Sequence, residues 1–445
     1  MFKIKVLTAA LASIGLAVPV LAQAQSSADL LKELQTLKAR VEQLEAQVKR
    51  QQETPKNTVD PVEFNRITVK TESLEDSFEA QGFKGLKISG AIDPTFIYNR
   101  GQNTSGFQLL NKDPYSYDAG YFGMAFLDFQ KEIDGGTKFR LTLSPERGVG
   151  ATFNAGSIIH EATASIPLSD LSTRLIVGQI PDWSGYEYLP PNQNKLITHN
   201  LLFDFTLPTA YTGAGVELSR GKWLSKVVLA NMNAAKKSPG NKTPVVAYRV
   251  DYSKGEYSGF GFAGVHGKAT NFNDCADIDC TGYRDSRVDL FEVDGYFIRG
   301  DWTVQGQFSV GQQRRAAITP DPNTGELRNA RWWGLSALAA YKINPRLEAI
   351  ARFDYLNNKK NGGGLLGYTV ADGRNGIGPN PAGDPEIGAN RYALSLGLGY
   401  LYNSNVSFKA EYRLDRASQP VFLYNSDGSY RKTNSLLGVS TVVSF

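Results

Sequence analysis

The chain closes on TNSLLGVSTVVSF, Thr433 to Phe445, and this stretch decides the fold. Leu437, Val439, Thr441, Val443 and Phe445 share one face at a spacing of two, with Gly438, Ser440, Val442 and Ser444 between them. That period belongs to an extended strand with two different faces. The strand is about as long as the 9–11 residues that cross a bilayer when tilted. A sheet in water rarely ends on an exposed Phe. A barrel strand can, because the ring sits at the boundary between lipid and water.

Composition agrees with a wet interior and an apolar exterior. Of 445 residues only 41% are hydrophobic, too few for a bundle of membrane helices, yet 11% are aromatic and 44 are glycine. A secreted all-β protein would share this composition. The address comes from the first residues: Lys3 and Lys5 precede the apolar run Val6 to Val20, and Ala22-Gln23-Ala24 offers a small-x-small cleavage site. Residues 1–24 are therefore expected to be a secretory signal peptide. The formal charge of +4 falls to about +2 once the two lysines leave, which argues against nucleic acid as a partner. No later segment is apolar for long enough to span as a helix, so a spanning chain must form a closed barrel.

Between the leader and the strands, residues 25–52 repeat Leu30, Leu34, Leu37, Val41, Leu44 and Val48 at spacings of four and three. A seam of period 3.5 predicts a coiled-coil helix, with Glu33, Lys38, Arg40 and Glu45 placed to pair between parallel chains. The alternative is a single amphipathic helix. Residues 53–84 are expected to be a linker, because Pro55 and Pro61 interrupt the helix, with room for a short second helix near Glu72 to Glu79.

From residue 85 to 445 the pattern predicts a transmembrane β-barrel of about 16 antiparallel strands, an even number as single-chain bacterial barrels have. Tight turns at Asp134-Gly135, Gly221-Lys222, Gly255-Glu256, Gly300-Asp301, Asn344-Pro345 and Asn403 to Asn405 alternate with long segments, among them Arg100–Asp118, Pro181–Ala210 and Asn358–Ala389. Membrane barrels distribute their periplasmic and extracellular connections in this way, and β-sandwiches do not. With both termini on the periplasmic side, the coiled coil belongs there too. Faces follow from alternation: Lys138, Arg140, Glu348, Arg352, Asp354, Lys409, Glu411, Arg413 and Asp415 are assigned to the lumen, and Phe139, Leu141, Phe353, Phe408, Tyr412 and Leu414 to lipid. A charge on the lipid face costs a few kcal/mol near the midplane, roughly 2–4 for Arg or Lys, so this phase is strongly selected.

The segment Pro181–Ala210, PDWSGYEYLPPNQNKLITHNLLFDFTLPTA, carries too many aromatics to extend freely into water. It is expected to fold inward and narrow the channel, with Asp182, Trp183, Tyr186, Glu187, Tyr188, Lys195, His199 and Asp204 at the constriction; the alternative is an ordered cap outside the bore.

The closing strand with its terminal Phe is similar to the assembly signal of bacterial outer-membrane porins. The frame RLIVGQIPDWSGYEYL followed by THNLLFDFTLPTAYTGAGVELS resembles the phosphate-selective porin O/P group, as does the pattern from about Gly85 to Phe445. The added coiled coil resembles porin-like families of the same class of bacteria. The resemblance implies a passive channel for small hydrophilic solutes in the outer membrane of a Gram-negative bacterium, with a third extracellular loop inside the bore. It also implies homotrimers and delivery by the barrel-assembly machinery. The throat of the phosphate channels is rich in arginine and lysine; here Lys195 and His199 stand against Asp182, Glu187 and Asp204, so phosphate specificity does not carry over.

Other chemistry finds little support. Cys275 and Cys280 in NFNDCADIDC are expected to form a disulfide in an exported chain; Asn273, Asp274, Asp277 and Asp279 would alternatively make a calcium loop, at a spacing unlike the standard one. GFGFAG at Gly259 to Gly264 sits in a strand and opens no helix, which argues against a nucleotide site. His160, His199 and His266 lack metal-ligand spacing, and Ser157 near His160 is no catalytic pair. No cofactor, no metal and no enzymatic activity are expected. A structural barrel that tethers the envelope without an open pore is the competing class.

Overall fold

The structure, a computed structural model, describes residues 36, 38–43, 45, 61–80, 82–109, 122–144, 158–233, 244–271, 284–366 and 368–445. The chain divides into two units, Met1–Gln81 and Gly82–Phe445. In the first, residues 36, 38–43 and 45 are helical, and most of the heptad seam lies outside the described residues, as do Cys275 and Cys280. Where a linker is expected, a 20-residue helix α1 runs over Pro61–Ala80. Pro61 begins this helix: at the first position its missing N–H has no intrahelical role and its fixed φ suits the turn. Val62, Phe64, Ile67 and Val69 of α1 are all exposed within the unit.

The second unit is a closed antiparallel barrel of sixteen strands. Strand β1 runs Leu86–Ile92 and resumes at Thr95–Asn99; β2 is Thr104–Gln108 and then Ala125–Glu132. There follow β3 Lys138–Leu143, β4 Ile159–Asp170, β5 Thr173–Pro181, β6 Ala210–Arg220, β7 Trp223–Asn233 and β8 Val245–Ser253. The second half is β9 Ser258–Asn271, β10 Arg284–Arg299, β11 Trp302–Gln313 and β12 Ala330–Asn344, then β13 Leu347–Asn357, β14 Arg391–Leu401, β15 Val406–Ala417 and β16 Thr433–Ser444. Each strand pairs with its successor. Closure comes from β16, whose Val443 and Ser444 pair with Ile92 and Ala91 and whose Leu436 to Ser440 pair with Asn99 to Thr95. The register is the same on both sides of Asp93 and Pro94, so Pro94 only removes a ladder donor without shifting the strand. Closure leaves no unpaired edge, which a membrane-spanning sheet requires.

The first hairpin differs from the sequence reading. A turn at 100–103 sends β2 straight back along β1, and the long insertion lies within β2 rather than at its tip. The fourth hairpin has only Leu171 and Ser172 between β4 and β5. The other tight turns fall where the sequence places them. Gly221 and Gly300 hold φ of +59° and +56°, in the left-handed region that tight two-residue turns need.

Faces alternate as a membrane barrel demands. Phe139, Phe260, Phe308, Phe353, Leu396, Val439 and Phe445 stand outward and exposed. Aromatics gather at both ends of this belt. Trp223 against Tyr252 and Trp302 against Tyr341, each with centroids 4.8 Å apart, lie beside the tight turns. Trp333, Tyr355 and Tyr392, in successive contacts of 5.0 Å, lie toward the long connections. The inward face is not uniformly polar. Val228, Met232, Val245, Val265, Leu290 and Trp332 make an apolar lining on β7–β12 toward the long connections, where a wholly aqueous bore of mixed charge is expected from the sequence.

Candidate functional site

The apolar lining exists because the segment between β5 and β6 folds back onto it. This internal segment contains a single turn of helix, α2, Leu201–Thr206, whose N-terminus is capped by Asn200: its side-chain oxygen accepts from the N–H of Leu202 and Phe203 at 2.9 and 2.8 Å. Leu201, Leu202 and Phe205 of α2 are fully buried against Val228, Val245, Leu290 and Trp332, joined by Leu365, Leu366 and Ile377 from the connection after β13. The wall is notched to receive the segment. A Cβ on Gly334 would stand 2.4 Å from Leu202, one on Gly397 2.3 Å from Leu196, and one on Gly438 3.1 Å from Ile197.

Below α2 the segment is held by charge. The Glu411 carboxylate accepts the N–H of Ile197 at 2.7 Å and of Thr198 at 2.8 Å, and the Thr198 hydroxyl at 2.6 Å. Arg352 donates to the carbonyls of Thr198 and His199 at 2.7 and 2.8 Å and pairs with Glu187 at 2.7 Å. Arg413 donates to the His199 carbonyl at 2.6 Å, Lys409 to that of Pro191 at 2.6 Å, and Lys195 meets Glu348 at 2.7 Å. Asp354 and Asp415 in turn hold Arg352 and Arg413, at 3.2 and 2.9 Å. The structure therefore brings two groups of sequence candidates together. Glu348, Arg352, Asp354, Lys409, Glu411, Arg413 and Asp415 form the bed on which the internal segment lies, and all but the partly buried Glu348 are nearly fully buried. Charges so far from water must be paired and hydrogen-bonded, and here they are.

The remaining candidates separate by position. Tyr186 is buried with its hydroxyl 2.6 Å from Ser336, and Trp183 packs on Tyr211 at 5.2 Å. His199 stacks on Phe203 at 4.3 Å and bonds through Nε2 to the Tyr188 carbonyl at 2.8 Å; burial pushes its pKa down to about 3. Asp182 accepts from the Tyr211 hydroxyl at 2.6 Å and the Ser184 N–H at 3.0 Å, but burial still raises its carboxyl to about 6. Asp204 is buried, and Tyr188 is half exposed. Lys138 and Arg140 stand on the opposite wall, Lys138 well exposed and Arg140 2.9 Å from Asp128.

Between that wall and the internal segment lies a chamber of about 490 Å³. Arg140, His160 and Glu161 face it from β3 and β4, Lys226, Arg249 and Asp251 from β7 and β8, and Asp182, Trp183, Tyr188 and Asp204 from the segment. Sequence reasoning missed Arg249, which contacts Asp251, Asp294 and Glu292. The alternation in VAYRVDYS and LFEVDGYF carried that signal. Among the described residues, no group of His, Cys, Asp and Glu is placed to hold a metal ion.

A family model matches residues 61–445, from α1 to the closing strand; it describes a protein family of unknown function, DUF3138. The chain belongs to that family. The match takes in α1 as well as every strand of the barrel. Comparison with curated proteins gives no match. Among solved structures the barrel is similar to OmpT, an outer membrane protein of Vibrio cholerae, in its trimer form (10% identity, TM-score 0.51), and to an anion-selective porin from Comamonas acidovorans (10% identity, TM-score 0.50). Each comparison covers 81% of this chain and 99% of the other. At that identity the likeness is one of fold: a porin-like barrel.

Proposed function

We propose that the chain is an outer-membrane porin through which small hydrophilic solutes or ions diffuse passively, driven by their own gradients. The internal segment narrows the bore to the chamber, and Asp182, Trp183, Tyr188 and Asp204 face the passing solute. The observation that carries this reading is a barrel with an apolar belt outside and a segment bonded along its inner wall, beside a chamber of about 490 Å³. In this reading the leader directs export, the terminal residues Leu437, Val439, Thr441, Val443 and Phe445 guide assembly, and the coiled coil stands in the periplasm. Three copies assemble through the barrel and that coiled coil; the Vibrio cholerae protein has been solved in a trimer form. Liposome swelling tests the proposal. Vesicles carrying the refolded protein should swell in small sugars and stop swelling as solute size rises. Vesicles that remain tight to every solute while holding folded protein would favour a structural, envelope-tethering barrel.

A further inference from the structure

The chamber carries more carboxylate than cation. Three cations face it, Arg140, Lys226 and Arg249, and each is already engaged. Arg140 lies 2.9 Å from Asp128 and 3.3 Å from Glu161, and Lys226 lies 3.1 Å from Glu217. Arg249 lies 2.6 Å from Asp251 and 3.5 Å from Glu292, and contacts Asp294 as well. Against these three cations the chamber is lined by five carboxylates, Glu161, Asp182, Glu187, Asp204 and Asp251, of which Glu187 is already taken by Arg352. An incoming anion would have to draw an arginine away from its partners. A cation meets a surplus of negative charge between walls that focus it.

Two further observations point to a ligand rather than to bare solvation. His160, only 8% exposed, lines the chamber, and its Nδ1 is buried without a hydrogen-bond partner, so that with the proton on Nε2 it offers a lone pair to an N–H or O–H of the solute. The rings of Trp183, Tyr188, Phe203 and Tyr368 also line it. Aromatic faces attract cations, ammonium groups in particular. The protein already makes such a contact itself, with Lys226 Nζ 6.0 Å from the centre of the Trp183 ring.

We propose that the chamber recognises small organic cations, drawing the ammonium group toward Glu161, Asp251 and Asp204 while the apolar part of the solute lies against the rings. This rests on the porin reading for the passage of such solutes, though not for their binding. Choline is a suitable probe, used with the full chain folded in detergent and then in planar bilayers. Choline should bind saturably by calorimetry, and Glu161→Gln combined with Asp251→Asn should weaken it about tenfold, on the scale of losing close charge partners. In a choline chloride gradient the reversal potential should show choline passing ahead of chloride. The double variant should move it toward chloride and Lys226→Met away from it. Because these substitutions act in opposite directions, a general loss of folding cannot imitate the result. Binding without conductance would leave the site standing and remove the porin reading. Conductance favouring chloride, together with no saturable choline binding, would overturn the site and leave the porin reading intact.

Discussion

Arg352 shows how tightly the internal segment is tied to the wall. It has no exposed side-chain surface and meets Glu187, Asp354 and two carbonyls of the segment. Arg352→Met removes the cation and leaves those carboxylates buried, which should cost about 3–5 kcal/mol. The expected outcome is a lower unfolding temperature in detergent; an unchanged temperature would show the pairs to be dispensable. Two other residues of the segment predict an opposed pH response. His199 is held near 3 against an ordinary 6.5, so the unfolded chain binds more protons between these values and its contribution to stability falls as pH drops from about 6.5 to 3. Asp182 is raised to about 6 from 3.8, so the folded chain binds more protons there and its contribution falls as pH rises from about 4 to 6. Denaturant unfolding at pH 7 and pH 4.5 should therefore show Asp182→Asn losing more stability on acidification than the native chain, and His199→Gln losing less. Identical pH dependence in all three proteins would contradict these burial effects.

Among the elements, β16 carries the simplest test of the lipid-facing phase. Val439 is 47% exposed while its neighbours Gly438 and Ser440 are buried. Val439→Arg should destabilise the barrel by about 2–4 kcal/mol, whereas a polar change at Ser440 should cost far less. Equal effects at the two positions, measured by reversible unfolding in lipid or detergent, would mean that the faces are wrongly assigned. That phase was legible in the sequence because a period of two admits only two answers and charge on lipid rules one out. The tight turns were legible for a similar reason, since Gly221 and Gly300 mark backbone that other residues adopt poorly. What the strands face inside was harder to read. Arg352, Glu411 and Arg413 look the same in sequence whether they meet water or the backbone of a segment over a hundred residues away. The notches at Gly334, Gly397 and Gly438 depend on a fit that no local pattern encodes. The helix at Pro61–Ala80 was hidden by a proline that opens a helix as readily as it ends one.

At the scale of the whole molecule, sixteen strands enclose a space that is filled unevenly. Near the long connections the internal segment and the connection after β13 pack against apolar walls; beside β2–β4 and β7–β8 the chamber remains. In the proposed porin the same chain is both a rigid wall and a narrow passage, and one measurement separates the two. Purified protein refolded into a planar lipid bilayer should produce discrete, reproducible conductance steps, and Arg352→Met, by loosening the internal segment, should make them larger or noisier. A bilayer that holds folded, inserted protein and stays electrically silent would contradict the account.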